Sequence, residues 1–198
     1  AGRLILGVGA GGLGGFDTTV LGADPLGPRQ RVDRFAEFLE LLDLLLRTDR
    51  VTWTGEYYSA VDARSNPGCV QSPRVPFVVA ANGPRAMRLA VRYGQGWATT
   101  GTGRDDPEAW WRALAGLVRR LEDTLAAHDR APGDLDRYLQ LDAGPVYSLS
   151  SVDAFTDAVG RAAELGVTDV VTHGPRPDGP YAGREAVLEE VAATVLAA

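Results

Sequence analysis

From Pro76 to the end of the chain, short apolar runs alternate with amphipathic stretches, and this rhythm limits the possible folds more than any single motif. "FVVAA" (77–81), "GWATTG" (96–101), "RYLQLDAG" (137–144) and "TDVVTHG" (168–174) each read as a strand bounded by turn residues. Helices are expected between them. "RAMRLAVRY" (85–93) is stopped by Gly94. Asp105, Asp106 and Pro107 start a long helix with Trp110, Leu114, Leu117, Leu121 and Leu125 on one face. A third helix, capped by Ser150 or Ser151, carries Phe155, Val159 and Leu165 and ends at Gly166, and a last one runs from about Gly183 to Leu196. Upstream, Arg3 to Val8 reads as a buried strand. A helix is expected from Pro28 to about Arg47, because Pro28 suits a first turn and Val32, Phe35, Leu39, Leu42 and Leu46 repeat at three and four residues. Strand and helix thus alternate five times, which argues for parallel strands joined by right-handed crossovers. Residues 51–76, weakly alternating and then rich in Pro and Gly, read as a hairpin or excursion outside this pattern.

Composition excludes several function classes. The 198 residues are 45% hydrophobic and carry a net charge of -6, so no basic stripe exists to follow a phosphate backbone, and nucleic acid is not an expected partner. The most apolar stretch, "LELLDLLL", is interrupted by Asp43 and falls short of the roughly 18 residues that span a bilayer. With one cysteine, Cys69, and no leader-like start, a cytoplasmic protein without internal disulfides is expected. All twenty basic residues are arginine, which rules out a Schiff base or a lysine general base and leaves phosphate to arginine or backbone N–H groups. The start at Ala1, with Met87 as the single methionine, fits either initiator removal or a beginning inside a longer protein.

Gly7, Gly9 and Gly12 fall on the G-x-G-x-x-G spacing of dinucleotide sites. That fingerprint needs its third glycine to open a helix, and an acidic residue ending a second strand about twenty residues later. Here "LGGFDTTVLGADPLG" follows, which is loop-like. The glycines read instead as a sharp turn at a strand's carboxyl end, where backbone can approach something flat.

Taken together, "GRLILGVGAG", "RVDRFAEFLELLDLLL", "GEYYSAVDAR", "VPFVVAANGPRAMRLAVRYGQGW" and "ELGVTDVVTH" resemble the bacterial luciferase-like monooxygenases, including their deazaflavin-dependent members. The order and spacing of these segments carry the resemblance over nearly the whole chain. It implies an α/β fold of the (β/α)8 barrel type, binding FMN or the deazaflavin coenzyme F420 at the carboxyl ends of the strands. The implied activity is a flavin- or deazaflavin-dependent oxidoreductase or monooxygenase acting on a small organic substrate. Family members are longer, and "RLILGVG" resembles their fourth strand, so this chain is expected to form an incomplete barrel of about five βα units. One domain is expected over 1–198, with an excursion at about 48–75. An open five-strand sheet leaves two edges to be covered, by a second copy of the chain, by more chain, or by a reduced barrel. A homo-oligomer is the expectation.

Site residues follow from the strand ends. Asn82, Gly83 and Arg85 lie at a helix start, where unpaired N–H groups and the helix dipole attract a cofactor phosphate. The other reading is a turn with a surface arginine. Thr99, Thr100 and Gly101 are expected at the same rim as uncharged phosphate donors, or else as packed strand residues. Gly7, Gly9, Ala10 and Gly11 would let backbone lie against the flavin ring or its ribityl chain. His173 and Asp142, each at a strand end, are the catalytic candidates, His173 for a proton or hydrogen bond to substrate and Asp142 for orienting a ring nitrogen or hydroxyl. A purely structural histidine is the alternative. Trp53 and Trp97 read as core or rim aromatics and His128 as a helix-end residue, and no metal-ligand spacing occurs. Two other functions stay open: a non-catalytic half-barrel that binds flavin or oligomerises, and an unrelated α/β sheet using the helix start at Gly83 for another phosphorylated ligand.

Overall fold

The computed structural model describes residues 2–12, 19–20, 22, 24–103 and 106–195. These fall into two compact units, Ala1–Trp97 and Ala98–Ala198. The architecture is α/β. The main sheet has the strand order β1 (Leu6–Gly9), β4 (Phe77–Ala80), β5 (Gly96–Thr99), β6 (Asp136–Gln140), β7 (Asp169–Val171).

In the first unit β1 (Leu6–Gly9) runs parallel to β4 (Phe77–Ala80), with Leu6 opposite Phe77 and Gly9 opposite Ala80. Strand β1 is shorter than the apolar run suggested, since Leu4 and Ile5 precede it and are exposed. Helix α1 (Pro28–Arg47) keeps the expected limits, with Pro28 in its first turn and Phe35, Leu39 and Leu41 buried. The excursion is an antiparallel hairpin, β2 (Arg50–Thr54) with β3 (Ser59–Arg64), irregular between Val51 and Trp53. One carboxylate ties it to α1: Glu37 accepts N–H bonds from Glu56, Tyr57 and Tyr58 at 2.9, 2.7 and 2.6 Å. Helix α2 (Pro84–Tyr93) follows β4 and buries Ala86, Met87, Ala90 and Val91. Beneath these elements the buried Arg74 donates to Asp43 (2.5 Å), to Gln95 (3.1 Å) and to the carbonyls of Val75 and Tyr93 (both 2.8 Å). A buried guanidinium is tolerated because its charge is paired and its donors are used.

In the second unit Asp106 caps α3 (Pro107–Ala126), accepting from the N–H groups of Glu108 and Ala109. Asp105, also expected at this start, lies outside the described residues. Strand β6 (Asp136–Gln140) pairs in parallel with β7 (Asp169–Val171), Gln140 opposite Val171. Between them Ser151 caps α4 (Val152–Glu164), which settles the choice between the two serines. Helix α5 (Glu185–Thr194) starts two residues later than expected, and Leu196 lies outside the described residues. Trp110, Leu114, Leu139, Leu141, Leu149, Phe155, Ala162 and Val191 form the core of this unit. The strand-helix alternation thus places consecutive strand ends side by side, β1 with β4 and β6 with β7.

Candidate functional site

Two groups of site residues lie at strand carboxyl ends, one in each unit. In the first unit Gly7 has no atom within 4 Å of where a Cβ would stand, and Gly11 (φ 82°) is equally open. Gly9 serves its neighbour instead, since an added Cβ would sit 3.2 Å from the Ala80 Cβ. Ala10 is half-buried between them. Arg31, reaching from α1, donates to the carbonyls of Gly11 (3.1 Å) and Gly12 (2.5 Å) and holds this turn. No dinucleotide fingerprint operates: the sheet neighbour of β1 is β4, which begins at Phe77.

After β4, Gly83 is the N-cap of α2 and provides no side-chain acceptor, and the first turn contains no acidic residue. No residue of the first turn itself brings a carboxylate to these N–H groups. Around Gly83 the space is open on the Cβ side. Arg85 is partly exposed and already paired with Asp33 of α1. Trp97 is fully buried and donates its indole N–H to the Ala81 carbonyl at 2.6 Å, which makes it a core residue supporting this turn.

At the end of β5 one threonine is buried and the next exposed. Thr99 is buried and its hydroxyl accepts the Gly101 N–H at 3.1 Å. The exposed Thr100 donates weakly to the Gly101 carbonyl at 3.4 Å, and its own carbonyl accepts the Trp110 indole N–H at 3.3 Å. Gly101, at φ 65°, is required by Trp110, because a Cβ there would collide with the indole nitrogen.

In the second unit Asp142 and His173 come together beyond the paired ends of β6 and β7. The Asp142 side chain is wholly buried. It accepts from the Ser148 N–H (2.8 Å), the Thr172 hydroxyl (2.9 Å) and the His173 N–H (2.5 Å), and Ser148 and Thr172 join hydroxyls at 2.6 Å. Burial pushes this carboxyl upward, but the donors from His173, Ser148 and Thr172 outweigh it and leave it below the ordinary carboxylate value. The His173 ring turns Nδ1 to the same carboxylate at 3.3 Å and Nε2 to the Gln140 amide nitrogen at 3.5 Å. In the tautomer with its proton on Nδ1, the ring donates to the carboxylate and turns Nε2 to the Gln140 amide as an acceptor. Its side chain is 30% exposed. Tyr147 donates its hydroxyl to the His173 carbonyl at 2.9 Å, and the Tyr181 ring lies flat on the imidazole, 4.0 Å away and 7° from parallel.

The sequence reading missed Ser148, Thr172, Gln140, Tyr147 and Tyr181. Thr172 and Gln140 had a signal, since both stand within two residues of a candidate at a strand end; Tyr181 had none. His128 sits at the end of α3, its Nδ1 2.9 Å from the Thr124 carbonyl. Among the described residues no cluster of His, Cys, Asp and Glu has metal-binding geometry, and no helix is long and apolar enough to cross a membrane.

Comparison with known proteins gives this geometry a context. The chain is 34% identical over 140 residues to an F420-dependent glucose-6-phosphate dehydrogenase of Microbacterium testaceum (strain StLB037) and 36% identical over 143 residues to one from Beutenbergia cavernae. Each match covers 71% of this chain and 39% of the relative, so the chain spans about two fifths of the length of these curated relatives. Among solved structures, the monooxygenase RslO1 from Streptomyces bottropensis superposes with a TM-score of 0.72 over 99% of this chain and 69% of its own, at 15% identity. The coenzyme F420-dependent tetrahydromethanopterin reductase from Methanopyrus kandleri gives 0.67 over 96% and 72%, at 17% identity. These two likenesses are of fold. The family model of the luciferase-like monooxygenases matches residues 1–190, and the chain belongs to the luciferase-like monooxygenase family.

Proposed function

We propose that the protein is a flavin- or deazaflavin-dependent oxidoreductase acting on a small organic substrate, with the deazaflavin F420 favoured over FMN. The observation that carries this reading is the 34–36% identity, over about 140 residues, to dehydrogenases named as F420-dependent. The residues present suit such a cofactor: Gly7, Gly11 and Gly83 leave open backbone, and the start of α2 has neither a side-chain cap nor an acidic neighbour in its first turn. Asn82, Gly83, the first-turn N–H groups of α2 and Arg85 would hold the phosphate. Gly7, Gly9, Ala10 and Gly11 would lie along the flat part. When bound, a cofactor of this class supplies hydride or electron transfer. The protein's own chemistry is the movement of a proton at His173 Nε2, with Asp142 holding the opposite ring nitrogen. The same reading takes 1–198 as one functional domain of a cytoplasmic homo-oligomer.

The Arg85–Asp33 pair supplies the test. Deazaflavin and FMN are titrated by absorbance and fluorescence into the parent, Arg85→Ala and Asp33→Asn proteins. A charge-assisted contact to phosphate is worth about 1.5–3 kcal/mol, so Arg85→Ala is expected to weaken binding by roughly ten- to hundredfold. Asp33→Asn, which releases the guanidinium, is expected to match or exceed the parent affinity. Equal affinity in all three proteins removes Arg85 from the site; absence of binding in the parent overturns the reading. Tight binding without turnover of reduced cofactor favours the non-catalytic half-barrel instead.

A further inference from the structure

The His173 ring is held from one side by less than its surroundings suggest. Its backbone is anchored, with the N–H 2.5 Å from Asp142 and the carbonyl 2.9 Å from the Tyr147 hydroxyl. Among the described residues the ring nitrogens face Asp142 at 3.3 Å and Gln140 at 3.5 Å, and both distances are long for hydrogen bonds. Contacts of this length restrain rotation about Cβ–Cγ weakly, and rotation out of the present plane would take Nδ1 out of line with the carboxylate. The Tyr181 ring opposes that tilt, covering one imidazole face at 4.0 Å and 7°.

Tyr181 is itself placed with care. The Arg176 N–H donates to the Tyr181 carbonyl at 2.9 Å and the Gly183 N–H to the Arg176 carbonyl at 3.0 Å, closing a narrow loop beyond β7. A Cβ on Gly183 would come within 3.0 Å of the Tyr147 ring and 3.3 Å of Pro175, so this glycine lets the loop close down on the site. Tyr147 leans on Tyr181 with ring centroids 5.8 Å apart, and the Arg176 guanidinium stands 5.7 Å over the Tyr181 ring.

We infer that Tyr181 is a positioning residue: it fixes the plane of His173 so that Nδ1–H is given to Asp142 and Nε2 is presented, beside the Gln140 amide, to a ligand group that donates a hydrogen bond. This rests on the reading of His173 as the proton-handling group. Among the described residues the titratable or charged groups placed about the ring are Asp142 at Nδ1, Tyr181 on its face, Tyr147 on its backbone carbonyl and Arg176 over Tyr181.

The chain contains two histidines, so nitrogen-15 NMR of histidine-labelled protein reads the tautomer of each ring directly, with no cofactor present. In the parent, His173 is expected as the Nδ1–H tautomer. Tyr181→Phe keeps the flat ring and is expected to keep that pattern. Tyr181→Ala is expected to shift the balance of tautomers by about three- to tenfold, the scale of one aromatic stacking contact. The His128 signals stay unchanged and report an intact fold. A Tyr181→Ala spectrum identical to the parent's at His173, or a parent already mixed, overturns the inference. Turnover is then measured for the same proteins. If the tautomer shifts in Tyr181→Ala while kcat and KM hold, the positioning role stands and the proton-handling role of His173 falls.

Discussion

A carboxylate that is fully enclosed yet remains charged must be bonded on every side, and Asp142 meets that demand with two backbone N–H groups and a hydroxyl. Its folded-state pKa lies below the unfolded value of about 3.9, because those donors outweigh the cost of burial. The carboxylate therefore stabilises the fold above about pH 4, and that contribution disappears as pH falls through the lower folded value. Asp142→Asn leaves the Thr172 or His173 donor facing an amide N–H. It is expected to cost about 1–3 kcal/mol at pH 7, by urea unfolding, with the gap to the parent narrowing below pH 4. A gap that is the same at pH 7 and pH 3 would show that the charge has no part in it. Both Asp142 and His173 were legible in the sequence, because they follow strands at matching positions. Their meeting was not, and neither was the pairing of Arg85 with Asp33, 52 residues away.

At the scale of elements, the signals that act within a few residues were readable. Pro28 and the apolar repeat marked α1, Asp106 marked α3, and Ser151 stood one residue from its rival. The hairpin was legible as an excursion, yet what attaches it was not, because Glu37 looks like any acidic residue on a helix. In the structure its carboxylate collects three consecutive N–H groups at the hairpin turn, and Gly55 must lack a side chain there, since a Cβ would collide with that carboxylate. Bonds to a charged acceptor contribute about 1.5–3 kcal/mol. In Glu37→Ala, hydrogen exchange at the amides of Glu56, Tyr57 and Tyr58 is expected to quicken at least tenfold, while the α1 amides keep their protection. Unchanged protection at the turn would assign the attachment to packing such as the Phe38–Tyr58 ring contact.

For the molecule as a whole, the open end of the sheet sets the next question. Among the described residues β1 pairs only with β4, and Leu4 and Ile5 beside it are 62% and 52% exposed. A strand with one open edge flanked by apolar side chains is a surface that further chain or a second copy can cover, and for these 198 residues by themselves the second copy is testable. Light scattering at tens of micromolar chain is expected to report self-association that Leu4→Arg with Ile5→Arg abolishes; a monomeric parent would contradict it. What the sequence by itself determined was periodicity: the alternation of strand and helix, the caps, and the appearance of Asn82, Asp142 and His173 at strand ends, all of them properties of neighbours along the chain. Only the tertiary structure decided that Gly101 belongs to Trp110, that Arg85 is held by Asp33, and that Tyr181 lies on His173. Those contacts join residues brought together by the pairing of strands and the docking of helices, and no local pattern of hydrophobicity or spacing encodes which side chain will meet which.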